Sequence, residues 1–137
     1  MKNTNISKQI QILINQFKVQ NYDYIISKGN TLLKKNPEYL ILYNIIGSAY
    51  QNNGDYVNAK QKFKDGLKLD PNNIALLNNL GLSHKNLLEY DLAEELYLKT
   101  IKINKNYANA YINLGNLKRD LNQFDDAITY YNEALLI

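Results

Sequence analysis

Apolar residues recur three and four positions apart along most of the chain. Leu40, Tyr43, Ile46, Gly47 and Tyr50 form one such run, the spacing of a single helix face. The run breaks at Asn53-Gly54-Asp55 and resumes from about Tyr56 to Leu69. It stops at Asp70-Pro71, because proline cannot continue a helix and disfavours helical geometry in the residue before it. This stretch predicts helix, tight turn, helix, turn.

The same pattern returns with a period of 34. Gly47, Gly81 and Gly115 keep that spacing, as do Ala59, Ala93 and Ala127. Tyr56, Tyr90 and Phe124 form a third column, Phe63, Tyr97 and Tyr131 a fourth, and Gly66, Thr100 and Ala134 a fifth. Glycine inside a helix costs about 1 kcal/mol relative to alanine, so three at one spacing need a packing reason. The expected contact sets Gly47 opposite Ala59, with the aromatic column filling the wider gap beside it. Residues 6–37 carry a weaker copy, with Tyr22 and Pro37 in their columns. There Leu13 and Ile25 stand where glycine and alanine belong, and Gly29 where the ring belongs, which reads as an exchange of volume. The implied organisation is an unstructured 1–5 followed by repeats at about 6–39, 40–73, 74–107 and 108–137, the last truncated.

"YNIIGSAY" with Ala59, Phe63, Gly66 and Pro71 resembles the tetratricopeptide repeat (TPR) almost position by position. "LNNLGLSH" with Ala93, Tyr97 and Thr100 fits well, although Lys105 replaces the exit proline. "YINLGNLK" with Ala127, Tyr131 and Ala134 fits too. The resemblance covers roughly residues 36–137. It implies an all-α fold, a right-handed α-solenoid of four helical hairpins and about eight helices. Second helices would form the convex wall and first helices a concave groove. The chain closes on Ala134-Leu135-Leu136-Ile137 inside a strong helical pattern. Repeat arrays need a polar outer face at their ends, so the expectation is a fragment of a longer protein or self-association through that uncapped C-terminal face.

Composition narrows the chemistry. The 137 residues are 45% hydrophobic and 21% charged, ordinary for a folded domain, with no cysteine for a disulfide or thiolate metal site. A net charge of +3 is too small to imply nucleic acid. The polar-interrupted start resembles neither a signal peptide nor a membrane span. A cytoplasmic protein that binds neither nucleic acid nor membrane is expected. Lysine, asparagine, isoleucine and tyrosine are abundant, the bias of an AT-rich genome, so asparagine and lysine count as signals only at special positions.

Catalysis finds little material. His84 is the single histidine, and a packing or surface role suits it better than a catalytic one. No second histidine or cysteine completes a zinc site or nucleophile pair. Asp23, Asp91 and Asp125 share a column near the starts of second helices, where a carboxylate meets the helix dipole and can satisfy free amides. The glycines never cluster into a phosphate loop. Lys60, Lys62, Lys64 and Lys68 lie on one second helix and Lys99 and Lys102 on another, which reads as a solvated face. The expectation is a chain that is not an enzyme and holds no metal or cofactor.

Inward positions of the first helices are the functional candidates. Counting from the glycines, they are Asn44, Ser48 and Asn52, then Asn78, Asn79, Leu82, Lys85 and Asn86. Asn109, Ile112, Asn113, Asn116, Arg119 and Asp120 follow. Asn79 and Asn113 occupy one column, two residues before the glycine. A side-chain amide both donates and accepts, so repeating it once per hairpin suits an extended polypeptide backbone. The arrangement resembles the asparagine ladder of O-linked N-acetylglucosamine transferases, though Ile45 interrupts it and the first repeat has Gln11, a longer amide, in that column. The expected peptide-binding set is Asn44, Asn78, Asn79, Asn109, Asn113 and Asn116. The two-carboxylate clamp of chaperone-binding TPR domains is not reproduced, since only Asn79 matches it. The expected function is a protein-interaction scaffold that binds an extended polypeptide. The alternative is the substrate-recruiting region of a larger enzyme, of glycosyltransferase or sulfotransferase type, with its catalytic domain C-terminal to this sequence.

Overall fold

The computed structural model describes residues 2–137, with side chains from Asn5 onward. Among the described residues the regular structure is entirely helical. The helices are α1 (Lys2–Lys18), α2 (Tyr22–Lys35), α3 (Leu40–Asn52), α4 (Tyr56–Leu69), α5 (Ile74–Asn86), α6 (Tyr90–Ile103), α7 (Ala108–Asp120) and α8 (Phe124–Leu135). Helix α1 reaches back to Lys2, which corrects the expectation of an unstructured 1–5 for all but Met1, outside the described residues. Nothing in Lys2–Asn5 breaks a helix, and Asn5 Oδ1 accepts from Gln9 Nε2 one turn on, at 3.0 Å.

The chain forms two compact units, Met1–Asp70 with α1–α4 and Pro71–Ile137 with α5–α8. In the first, α2 packs on both α1 and α3, α3 packs on α4, and α1 touches α3 directly. Its core gathers Ile6, Ile10, Leu13, Ile25, Leu32, Leu33, Leu42, Ile45, Ile46 and Ala49. The second unit repeats the scheme: α6 packs on α5 and α7, α7 on α8, and α5 on α7. Ala93, Tyr97, Leu114 and Leu117 form its core cluster.

The glycine column behaves differently from the expected pairing with alanine. A Cβ on Gly47 would lie 2.5 Å from Phe63 Cε1, one on Gly81 2.6 Å from Tyr97 Cε1, and one on Gly115 2.6 Å from Tyr131 Cε1. The atoms nearest each bare backbone thus belong to the ring of its own hairpin partner. The first hairpin inverts the arrangement. A Cβ on Gly29 would meet Ile46 Cγ1 at 2.7 Å, with Leu13 Cδ1 at 3.7 Å. Leu13 and Ile46 together fill the space that a ring occupies in later hairpins.

The period extends to backbone conformation. Gln20, Gly54, Leu88 and Asn122 stand 34 residues apart and share φ of 58°, 80°, 62° and 60°. At each, two hydrogen bonds close the first helix: Gly54 N–H donates to the Gln51 carbonyl and Asp55 N–H to that of Tyr50, at 3.1 and 2.9 Å. The same pair recurs at Gln20-Asn21, Leu88-Glu89 and Asn122-Gln123. This is the Schellman closure, which satisfies carbonyls that a helix end leaves open. The exit turn after α6 forms without proline. There Asn104 Oδ1 accepts from Asn106 N–H at 2.9 Å, a local turn that asparagine favours.

Second-helix capping also departs from expectation. Asp23, Asp91 and Asp125 do lie in first turns. The side-chain cap of a second helix is instead at α4, where Asp55 Oδ1 accepts from Asn58 N–H at 3.1 Å, while Asn73 Oδ1 accepts from Leu76 N–H at 3.1 Å at the start of the first helix α5. Asp23 instead accepts from Asn53 Nδ2 at 3.2 Å, joining α2 to the turn after α3.

Candidate functional site

The six asparagines picked from sequence fall in both units, and their surroundings differ. Asn44 is half-buried on α3 of the first unit. In the second unit Asn78 is buried, Asn79 half-buried, and Asn109 exposed in the first turn of α7. Asn113 and Asn116 are half-buried on α7.

Two of these residues are joined. Asn113 Nδ2 donates to Asn78 Oδ1 at 3.0 Å, bridging α7 and α5. Asn78 is only 4% exposed, so its amide supports Asn113 and contributes little surface. Asn116 Oδ1 accepts from Tyr131 O–H at 2.8 Å, which ties α7 to α8. Asn44 and Asn79 also take part in polar contacts within the chain.

Ion pairs further tie the helices of the second unit. Lys85 Nζ lies 2.8 Å from Asp120 Oδ2, linking α5 and α7, and Arg119 flanks the same carboxylate at 3.1 Å. The hydrogen bond from Lys85 holds the Asp120 carboxyl below its ordinary range, with Arg119 adding to the effect and partial desolvation opposing it. Lys118 pairs with Glu94 of α6 at 2.7 Å. His84 is buried and engages the Glu89 carboxylate of its own hairpin at 2.5 Å, a packing role.

The corresponding first-helix surface of the first unit has a different character. A cavity of about 310 Å³ opens between α1 and α3, lined by Ile14, Phe17, Lys18, Asn44, Ile45 and Ser48. Two periods later those columns hold Leu82, Lys85, Asn86, Ile112, Asn113 and Asn116. At the Phe17 and Ile45 columns, polar bridges from Lys85 and Asn113 thus occupy the second unit where apolar walls stand in the first. Sequence reasoning passes over Ile14, Phe17 and Lys18, and takes Ile45 only as an interruption of the amide column.

A second signal lies in the charges. The helices α1, α3 and α5 contain no acidic residue, and α7 contains Asp120 alone. The remaining carboxylates sit on second helices and in turns. No group of three or more His, Cys, Asp or Glu among the described residues could hold a metal ion. Among the same residues no helix is long and apolar enough to cross a membrane.

Paired helices at a 34-residue period, with Gly47, Gly81 and Gly115 each covered by a ring, define a helical-hairpin repeat protein. Two tetratricopeptide repeat models match the chain, one over residues 41–73 and the other over 72–137. The chain belongs to the tetratricopeptide repeat family, and its fold class is the all-α solenoid of that family. No curated protein matches it in sequence. Among solved structures it is similar to MamA, at 24% identity over 92% of this chain and 74% of MamA, with a TM-score of 0.79. It is also similar to a thermophilic TPR protein of Thermus thermophilus, at 23% identity over 92% and 70% of the two chains, TM-score 0.83. The second TPR of Spaghetti bound to the HSP90 peptide SRMEEVD aligns at 22% identity over 74% and 94%, TM-score 0.66. These likenesses establish the fold.

Proposed function

We propose that the chain is a non-catalytic scaffold of the cytoplasm whose first helices hold an extended polypeptide. The family supports protein interaction in general, and the Spaghetti TPR is bound to a peptide. The observation that carries the finer reading is the Asn113–Asn78 bond. Asn113 gives one N–H to Asn78 and keeps its second N–H and its carbonyl oxygen for a ligand. That is the donor and acceptor pair a peptide backbone presents in return. In this reading Asn78 orients Asn113, while Asn79, Asn109 and the Nδ2 of Asn116 extend the row on the second unit. Asn44 serves the first unit.

Each amide contact contributes about 0.5–1.5 kcal/mol net. The test is calorimetry with a partner recovered from the source cell's lysate, comparing the parent chain with the double change Asn79→Ala, Asn113→Ala. A loss of about tenfold in affinity is expected. Unchanged affinity removes the amide row.

A further inference from the structure

We infer that the cavity between α1 and α3 is an anchor site for a bulky apolar side chain neighboured by a carboxylate in the bound polypeptide. The inference rests on the polypeptide-binding reading and adds the residue chemistry that the first unit selects. Three observations carry it.

The first is the wall. Ile14, Phe17 and Ile45 supply the apolar lining of a cavity of about 310 Å³. Tyr22 holds the Phe17 ring edge-on, with centroids 5.3 Å apart and planes at 69°. A ring already fixed by its neighbour loses little freedom when a ligand arrives. The second is contrast. In the Ile45 column the second unit has Asn79 and Asn113, and the Asn113–Asn78 bond and the Lys85–Asp120 pair span its α5–α7 surface. At that column the first unit presents an apolar wall where the second presents an amide.

The third is charge. Lys18 is the single charged residue of the lining, and no described carboxylate lies within ion-pair distance of it. Neither α1 nor α3 contributes an acid that would repel a carboxylate there. A ligand residue in the cavity therefore places its neighbours beside an uncompensated ammonium, which favours aspartate or glutamate and opposes lysine or arginine. Lysine presents a point charge without the planar fork of arginine, which suits one side-chain carboxylate.

The test uses the full chain, labelled with nitrogen-15, and three C-terminally amidated Gly-Ser peptides carrying Asp-Phe-Asp, Lys-Phe-Lys or Asp-Ala-Asp at their centre. The Asp-Phe-Asp peptide is expected to shift the amides of Ile14, Phe17, Ile45 and Ser48, and to bind about fivefold more tightly than either other peptide. Lys18→Glu should invert the order of the two Phe peptides, and Ile45→Asn should abolish the preference for Phe over Ala. Equal binding of all three, or an order unmoved by Lys18→Glu, overturns the anchor site. Should Ile45→Asn fail to fold, the exposed Lys18→Glu decides alone. Shifts confined to α5 and α7 overturn the anchor and leave the polypeptide-binding reading intact. No shift on any first helix removes both.

Discussion

Asn113 and Asn78 face one another across α7 and α5, and the amide of the first donates to the carbonyl oxygen of the second at 3.0 Å. Asn78 is almost wholly enclosed, so this bond belongs to the architecture as well as to the surface. Asn113→Ala leaves a buried acceptor unmet, at a cost of about 1–2 kcal/mol. Urea unfolding of Asn113→Ala, Asn78→Ala and the double variant measures the coupling between them. A coupling near zero would show the bond to be incidental in solution.

Two tyrosines of one column predict opposite responses to losing a hydroxyl. Tyr97 is fully buried, and its hydroxyl has no hydrogen-bond partner among the described residues. Burial pushes its phenol above the ordinary value. Tyr97→Phe removes an unmet polar group and should be neutral or stabilising by about 1 kcal/mol, in keeping with Phe63 one period earlier. Tyr131→Phe breaks the bond to Asn116 and should destabilise by a similar amount. Thermal unfolding of the pair decides, and the same sign for both refutes the distinction.

Leu88 holds φ of 62° where the preceding hairpin places Gly54 at 80°. Its side chain is 70% exposed, so packing offsets little of the left-handed strain that a β-carbon brings. Leu88→Gly should raise stability by about 1 kcal/mol, less whatever freedom glycine adds to the unfolded chain. Chemical denaturation reads the difference, and a destabilised variant would mean that the leucine makes contacts in solution that outweigh the strain.

Asp120 sets a pH dependence with a definite sign. Its carboxyl is held low chiefly by the Lys85 hydrogen bond. The stabilisation it gives is therefore present above the ordinary aspartate value and is lost as acidification passes through the lowered folded value. Lys85→Gln should raise the Asp120 pKa towards the ordinary range. It should change stability at neutral pH only slightly, because partly exposed pairs are weak. Carboxyl-carbon NMR titration follows the group directly. An Asp120 titration that ignores the loss of Lys85 contradicts the assignment.

The hairpins are legible because glycine, alanine and aromatic residues each return at one interval, a regularity that stacked helix pairs require. The partner of glycine is not, since a sequence column cannot say which of two neighbouring columns touches it. The turns are half-legible: Gly54 announces a left-handed residue, whereas Gln20, Leu88 and Asn122 carry no such mark. The Asn78–Asn113 pair joins residues 35 apart, one off the repeat, so column comparison sets them in different rows. Ile45 illustrates the cost of reading a row for one residue type. In the row it is a missing amide, whereas in the fold it helps line a cavity with Ile14 and Phe17. The absence of acids from three first helices is open to inspection in the sequence and directs attention to Lys18.

The exchange of Leu13 and Gly29 has a consequence for how such chains are recognised. Family models begin at residue 41, although α1 and α2 before it also pack on one another, with Leu13 beside Gly29. Two positions have traded a bulky group for a bare backbone, and the interior they enclose is filled all the same. Bulk supplied from the opposite helix can thus stand in for a ring at an interlocking contact. A count of modules keyed to spelling would begin one hairpin late.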